Sequence, residues 1–514
     1  MQSPNKANGS SQKSQQLKSF QERIFECFGY TTAHGYGRVA DATDSSLRRC
    51  FWLLACAAAF GIFVYQLQDL TSQYLSRPLK TRAWIAHEQN LPFPQVTVCN
   101  LNKIRRSKIP EDVLKDYPQI LGPISNATNN SSKLHGHKLK TKVHQRLAEY
   151  PDDILQAAGH QLQDMILNCE YNSIDCLLSL PLVKETMALR TTLGNEMRDL
   201  WTQLTHPKFG NCYTFNGGRD PNNKQITVLM SSLPGHEEGL KLEVNIEQYE
   251  YVSELSDEAG VRVFIGDQYL MPFPYELGIS APSGYSTGIM LRKIVIGRLD
   301  PFKNHSCEPK SILDDGNIFS RYNVIYSDMA CKISCLANTM HEMCGCVYYK
   351  LKYTKTQNVC DKSHHATEQC IDDVFKKYSE GICTKDCRQK CREDTFKMTV
   401  SAADWPSEYY KDILKEKIEK RGLGNRTGDF HVNFLKLKVY YGALNYEVID
   451  EELAYPFSNF VSDIGGVMGM WIGISALTCV EVLELSASLC YAFWRKFKGK
   501  RNSINVVQPR DCPA

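Results

Sequence analysis

An apolar segment that carries its own carboxylates constrains this chain more than any other feature. It reads Asp463-Ile-Gly-Gly-Val-Met-Gly-Met-Trp-Ile-Gly-Ile-Ser-Ala-Leu-Thr-Cys-Val-Glu-Val-Leu-Glu484. Between Asp463 and Glu481 the Cys479 thiol is the sole ionisable group. That length makes most of a bilayer-spanning helix. A carboxylate at membrane depth costs about 2.5–3.5 kcal/mol on insertion scales, so it normally faces water or a partner. On a straight helix Asp463 and Glu481 share one face, about five turns or roughly 27 Å apart. The pattern predicts a line of acidic groups along a water-filled path for cations. The bland alternative is a helix that ends at Glu481, with both acids among the headgroups.

A second apolar stretch, Cys50 to Leu67, carries no charge and suits one spanning helix. It lies too far from the N-terminus for a signal peptide and lacks a small-residue cleavage site. Arg48 and Arg49 precede it; Arg495, Lys496, Lys498, Lys500 and Arg501 follow the acidic segment. The positive-inside rule then puts both termini in the cytosol and residues 71–457 outside the cell. Expected boundaries are a cytosolic segment 1–49, spans at 50–70 and 458–494, and a cytosolic tail 495–514. Residues 1–19 are rich in Ser, Gln, Asn and Lys and predict disorder; residues 20–28 suit a short amphipathic helix.

Cysteine usage agrees with this topology. Fourteen of the 20 cysteines fall in the large loop, an even number in an oxidising compartment, which implies disulfides of unspecified pairing. Glycosylation sequons begin there at Asn126, Asn129, Asn130, Asn304 and Asn425; the one at Asn8 is a cytosolic false positive. A net charge of +3 says little about partners, and the topology argues against nucleic acid.

Periodicity predicts a strand over Phe93–Asn100 and mostly helix over 111–200, with a loop at the Asn/Ser run 125–132. Strands follow at Ile226–Leu229, Leu240–Ile246, Val261–Ile265 and Leu291–Ile296. Residues 328–391 read as helical and cysteine-dense, and Lys436–Tyr441 and Tyr446–Ile449 as strands. Two helices cannot enclose water alone, so several copies must surround one axis. Gly465, Gly469 and Gly473 recur every four residues, a spacing that lets helices approach closely. Gly473-Ile474-Ser475 adds a helix-weakening glycine to a hydroxyl, so backbone carbonyls could line the path there.

These residues form an ordered set: His34-Gly35, Phe93-Pro94-x-Val96-Thr97-x-Cys99-Asn100, Cys212-Tyr-Thr-Phe-Asn216, Ala259-Gly260-Val-Arg-Val, Trp405-Pro406-Ser407, Asp463-Ile-Gly-Gly-x-Met-Gly, Gly473-x-Ser475 and Glu481-x-x-Glu484. With them the chain resembles the degenerin/epithelial sodium channel family along nearly its whole length after residue 30. The resemblance implies a membrane protein with two transmembrane helices and a large disulfide-rich α+β ectodomain, assembled as a homotrimer with hand-and-ball architecture. A helical finger would span about 101–211, a β-ball and palm would follow, and a cysteine-rich thumb would span about 307–391. The implied disulfides are Cys99–Cys212, Cys169–Cys176, Cys307–Cys391, Cys331–Cys387, Cys335–Cys383, Cys344–Cys370 and Cys346–Cys360. Sodium would be transported at the plasma membrane and amiloride would block the pore. Ser462 and Asp463 would form the gate. Gly473, Ile474 and Ser475 would form the selectivity belt, with Glu481 and Glu484 below it. His34 and Gly35 would line the inner mouth. No cofactor, resident metal or enzymatic activity is implied.

Within the family, Cys212–Gly218, the Gly284-Tyr285-Ser286 turn and Ile474 look most like the invertebrate FMRFamide-gated channels. That predicts opening by an extracellular amidated peptide of RFamide type. Proton gating is the alternative, but the Ser76–Arg82 stretch lacks histidine, and His87 reads as a surface histidine. A pocket for such a peptide needs an aromatic wall and acids for its guanidinium, which Tyr150, Asp152 and Asp153 offer. The plainer reading of those two acids is a helix start after Pro151. An ATP-gated two-span trimer shares the topology but lacks the Asp463–Ser475 block. An ectoenzyme finds no support: His341-Glu342 lacks the second histidine of a zinc-protease helix, and His364-His365 sits between cysteines better read as disulfide-bonded.

Overall fold

The computed structural model describes residues 45–121, 130–176, 200–220, 222–252, 255–302, 306–309, 312–354, 357–422 and 429–473, together with 475, 478, 480, 483, 486, 487, 490 and 491. The segments expected at 20–28 and His34-Gly35 lie outside the described residues. So do Asn126, Asn129, Asn304, Asn425, Ile474, Glu481 and Glu484. The chain divides into two compact units, residues 1–80 with 452–514, and residues 81–451.

The principal elements, in order, are α1 (Ser46–Ser76), β1 (Leu79–His87), β2 (Leu91–Pro92), β3 (Gln95–Asn100), α2 (Glu111–Asp116), α3 (Asn130–Ala148) and α4 (Asp152–Ala158). Then come β4 (Ile166–Tyr171), β5 (Ile174–Asp175), β6 (Trp201–His206), β7 (Gly210–Phe215), β8 (Met230–Ser231), β9 (Leu240–Asn245), β10 (Gly260–Gly266), β11 (Ile279–Pro282) and β12 (Tyr285–Gly297). They are followed by α5 (Asp328–Cys344), α6 (His365–Ser379), β13 (Arg392–Asp404), α7 (Glu408–Lys420), β14 (Phe434–Tyr441), β15 (Asn445–Leu453) and α8 (Phe457–Trp471).

Two sheets build the larger unit. One has the order β1-β15-β12-β14-β9-β4-β5, with β13 also paired to β12; the other runs β11-β10-β3-β7-β6. β12 takes antiparallel β13 along its whole length. It also takes two parallel partners, β14 over its first half and β15 over its end. β3 and β7 are buried at every position, which a one-sided amphipathic strand could not be. Their apolar side chains Val96, Val98 and Phe215 join Leu240, Leu242, Val244, Leu435, Leu437 and Val439 of the other sheet in one core. Their polar side chains are answered inside: the Thr97 and Thr214 hydroxyls bond at 2.8 Å, and Asn100 donates to the Ile246 carbonyl.

Several expectations change here. The predicted helix over 111–200 is interrupted: Ile166–Tyr171 is a strand, β4, because it pairs with β9 in the sheet. Tertiary pairing overrides the local pattern there. Ile226–Leu229 is not a strand; only Met230–Ser231 pairs, with Leu91–Pro92. β13 and α7 were not foreseen. α7 has only Leu414 and Ile418 fully buried, so its apolar signal is thin.

The cysteine-rich segment shows why its helices form where they do. Ser327 caps α5, its hydroxyl accepting the Ala330 N–H, and Gly345 ends it with φ +70° and an N–H bond to the His341 carbonyl. Disulfides Cys331–Cys387, Cys335–Cys383 and Cys344–Cys370 tie α5 to residues in and after α6. Cys307–Cys391 and Cys346–Cys360 close the same region, and Cys99–Cys212 and Cys169–Cys176 staple the sheets.

Candidate pore segment

The smaller unit holds the acidic segment. Pro456 precedes α8, where a fixed φ and a missing N–H suit a helix start. α8 packs on α1 through aromatic and polar contacts. Tyr74 stacks on Phe460 with ring centroids 4.5 Å apart, and Trp471 Nε1 donates to Gln66 Oε1 at 2.7 Å. α1 is the one helix among the described residues long and apolar enough to cross a membrane, and it runs past the expected 50–70 at both ends.

α8 does not continue straight to Glu481. It stops at Trp471, and Gly473 takes φ +69°, a left-handed conformation that glycine adopts without steric cost. Two residues on, Ser475 Oγ accepts the Thr478 N–H at 3.3 Å while Thr478 Oγ1 accepts the Ser475 N–H at 3.1 Å. This reciprocal pair is a capping box, the signature of a new helical start, and Thr478 and Val480 are again helical. Gly473-x-Ser475 is therefore a stop and a restart. The straight-helix spacing between Asp463 and Glu481 is corrected: the backbone is broken between them, and N–H and C=O groups normally spent on helix bonds are freed at the break. Thr478, the partner of Ser475, was missed in the sequence, although its three-residue spacing is the box's signal.

Above the break, Ser462 and Asp463 are exposed, and Tyr455 donates its hydroxyl to Asp463 Oδ2 at 2.7 Å. Tyr455 could not be assigned from sequence, since it precedes the helix. Beyond the helix's own backbone and the adjoining residues, no atom of the described residues lies within 4 Å of where a Cβ would stand at Gly465, Gly466 or Gly469. The glycine face is bare among the described residues.

The peptide-contact candidates lie in the larger unit. Asp152 and Asp153 are first-turn residues of α4 after Pro151, where acids complement the helix dipole. The Tyr150 hydroxyl bonds Asp112, and burial, then that bond, raises its pKa to about 12. Arg146 reaches Asp112 at 2.9 Å and Glu149 at 2.7 Å, with its guanidinium 5.8 Å from the Tyr150 ring centre. An aromatic with acids around it does hold a guanidinium here, and the guanidinium is the chain's own. Asn130 opens α3, His87 ends β1 in an exposed position, and no metal-holding group occurs among the described residues.

The sequence pattern described as amiloride-sensitive sodium channel matches residues 27–485. The epithelial sodium channel subunit alpha of Neoceratodus forsteri is 26% identical, with 91% of this chain and 79% of that protein covered. Acid-sensing ion channel 1C of Danio rerio is 27% identical over 88% of this chain and 81% of its own length. Acid-sensing ion channel 4 of Rattus norvegicus is 28% identical over 91% and 80%. The match spans the disulfide-rich sheets and the broken helix alike. This chain belongs to the amiloride-sensitive sodium channel family, a family of plasma-membrane ion channels and not of enzymes.

Proposed function

We propose that this chain is the subunit of a homotrimeric, amiloride-blocked sodium channel of the plasma membrane, opened by an extracellular amidated peptide of RFamide type. The observation that carries the pore is the stop and restart at Gly473 and Ser475, within an apolar segment bounded by Asp463 and Glu481. Three such breaks around one axis offer freed backbone carbonyls to a partly dehydrated ion. The bare glycine face of α8 is where neighbouring copies approach. In this reading the second span runs 458–494, both termini are cytosolic, and residues 71–457 are extracellular. Ser462 and Asp463 gate the path; Gly473, Ile474 and Ser475 select; Glu481 and Glu484 concentrate cations below; His34 and Gly35 line the inner mouth. Glycans on Asn126, Asn129, Asn130, Asn304 and Asn425 are consistent with this topology.

Peptide gating rests on Cys212–Gly218, Gly284–Ser286 and Ile474, and on the lack of histidine over Ser76–Arg82. The finger surface at Tyr150, Asp152 and Asp153 is the proposed contact. Arg146 occupies Tyr150 and Asp112, so an incoming guanidinium would displace Arg146 or pair with Asp152 and Asp153 in the first turn of α4. Whole-cell recording with acid, ATP and amidated peptides applied separately tests the agonist; a current evoked by acid alone overturns the peptide assignment. Glu481→Gln should lower sodium-over-potassium permeability at normal surface expression. An unchanged reversal potential removes Glu481 from the site.

A further inference from the structure

The segments that lead out of α1 and into α8 are tied to each other. Ala454, just past β15, donates its N–H to the carbonyl of Pro78, just before β1, at 2.7 Å. Arg77 ends α1 in the left-handed region at φ +43°, with its N–H on the Tyr74 carbonyl. Tyr455 follows Ala454, and Pro456 then opens α8. Tyr455 is 8% exposed. Its ring meets Phe460 edge-on with centroids 6.4 Å apart, and Phe460 stacks on Tyr74 of α1 at 4.5 Å. Phe457 closes the group, 6.2 Å from Tyr74.

This packing aims one polar group along α8. The Tyr455 hydroxyl donates to Asp463 Oδ2 at 2.7 Å, spanning the first two turns of the helix. Among the described residues no other side chain bonds or pairs with Asp463. Asp463 itself is exposed. Packing against Phe460 asks only for a ring, which phenylalanine would supply. The hydroxyl answers a single carboxylate, the one placed at the gate above. A hydroxyl donated to a carboxylate is among the stronger hydrogen bonds and favours the ionised form.

We propose that Tyr455 is a positioning residue of the gate, whose hydroxyl holds the Asp463 carboxylate while the path is shut and releases it on opening. This rests on the reading of Ser462 and Asp463 as the gate of a trimer. Three copies around one axis bring three Asp463 carboxylates together in the shut state. Like charges that converge cost free energy, and a hydroxyl donated to each offsets part of that cost. On opening the carboxylates separate, and lone pairs freed from Tyr455 turn to water and passing cations. Tyr455 adjoins Ala454, which is bonded to Pro78, so a shift of these connecting segments reaches Asp463 through one side chain.

The test is whole-cell recording of the full-length chain, with resting amiloride-sensitive current normalised to surface protein measured by biotinylation. Tyr455→Phe keeps the ring against Phe460 and removes only the hydroxyl. It should raise resting current about five- to tenfold, less than a buried bond to a charged group would give, since Asp463 is exposed. Its sodium-over-potassium permeability should equal the parent's, because the break at Gly473 lies further along the segment. Added to Asp463→Ala, Tyr455→Phe should change resting current less than about twofold, since the hydroxyl then has no carboxylate to hold. A Tyr455→Phe channel with the parent's resting current overturns the proposal. So does an equal effect in both backgrounds, which would mean that the hydroxyl acts through another group. If Asp463→Ala also rests and conducts like the parent, the gate reading itself fails; if Asp463→Ala differs, only the role of Tyr455 does.

Discussion

The two units of this protein solve opposite problems. The larger one closes on itself: its sheets share one core, seven disulfides staple it, and Phe93, 0% exposed, is ringed by Tyr171, Phe215 and Tyr441. Among the described residues α8 buries none of its own, and three of its glycines face open space. One region carries its own core. The other shows none among the described residues, so in the proposed channel substitutions there should act on assembly and gating before they act on the fold.

The comparison breaks most readily in the larger unit. Phe93→Ala should destabilise it by about 3–5 kcal/mol, the usual cost of removing a buried aromatic. Surface expression measured by biotinylation should collapse. Normal expression of that variant would show that the sheets do not depend on their shared core. Ser462→Phe is the counterpart on α8. It should leave expression intact, since Ser462 is exposed within the chain. Overpacking of about 1–3 kcal/mol among copies would shift a two-state gate roughly five- to 150-fold toward open. Amiloride-sensitive resting current reads this, and a silent, well-expressed variant counts against the gate. The smallest effect is expected at the restart. Ser475→Ala removes a cap worth about 0.5–2 kcal/mol, which should loosen the break and reduce sodium-over-potassium permeability with expression unaltered. Ser475→Thr keeps the hydroxyl and should restore part of it. If Ser475→Ala selects as well as the parent, the capping box has no part in selectivity.

The titration of Lys103 sharpens the same contrast from inside the closed unit. Lys103 is buried. Burial, then Lys352 and Lys208, lowers its folded pKa below the unfolded value, so the unfolded chain binds the extra proton between about pH 7 and pH 10.5. Stability therefore rises with pH through that window and is lower below it. The rise should be missing from Lys103→Met, which is the difference to measure.

Much of this organisation was legible in the residues. Period and length marked both apolar segments, alternation marked β9, β10, β12, β14 and β15, and the count of ectodomain cysteines marked a disulfide framework. Pairing was not legible from spacing, because 14 cysteines allow very many connectivities; the family resemblance implies one set, and the fold brings those pairs into bonding distance. Gly473 and Ser475 announced a weak point in the helix, but a stop followed by a capped restart needs the φ of Gly473 and the partner Thr478. β4 escaped because its local pattern continues a helix and only β9 makes it a strand. Lys103 escaped entirely: nothing in Leu-Asn-Lys-Ile says that the lysine is buried. The sequence determined which segments are apolar, where the acids sit within them and how many thiols must pair, since these follow from composition and period. Tertiary structure alone decided which charges are answered and which are not. Burial and partners come from residues far apart in the chain, as with Glu243, Tyr410 and Lys417.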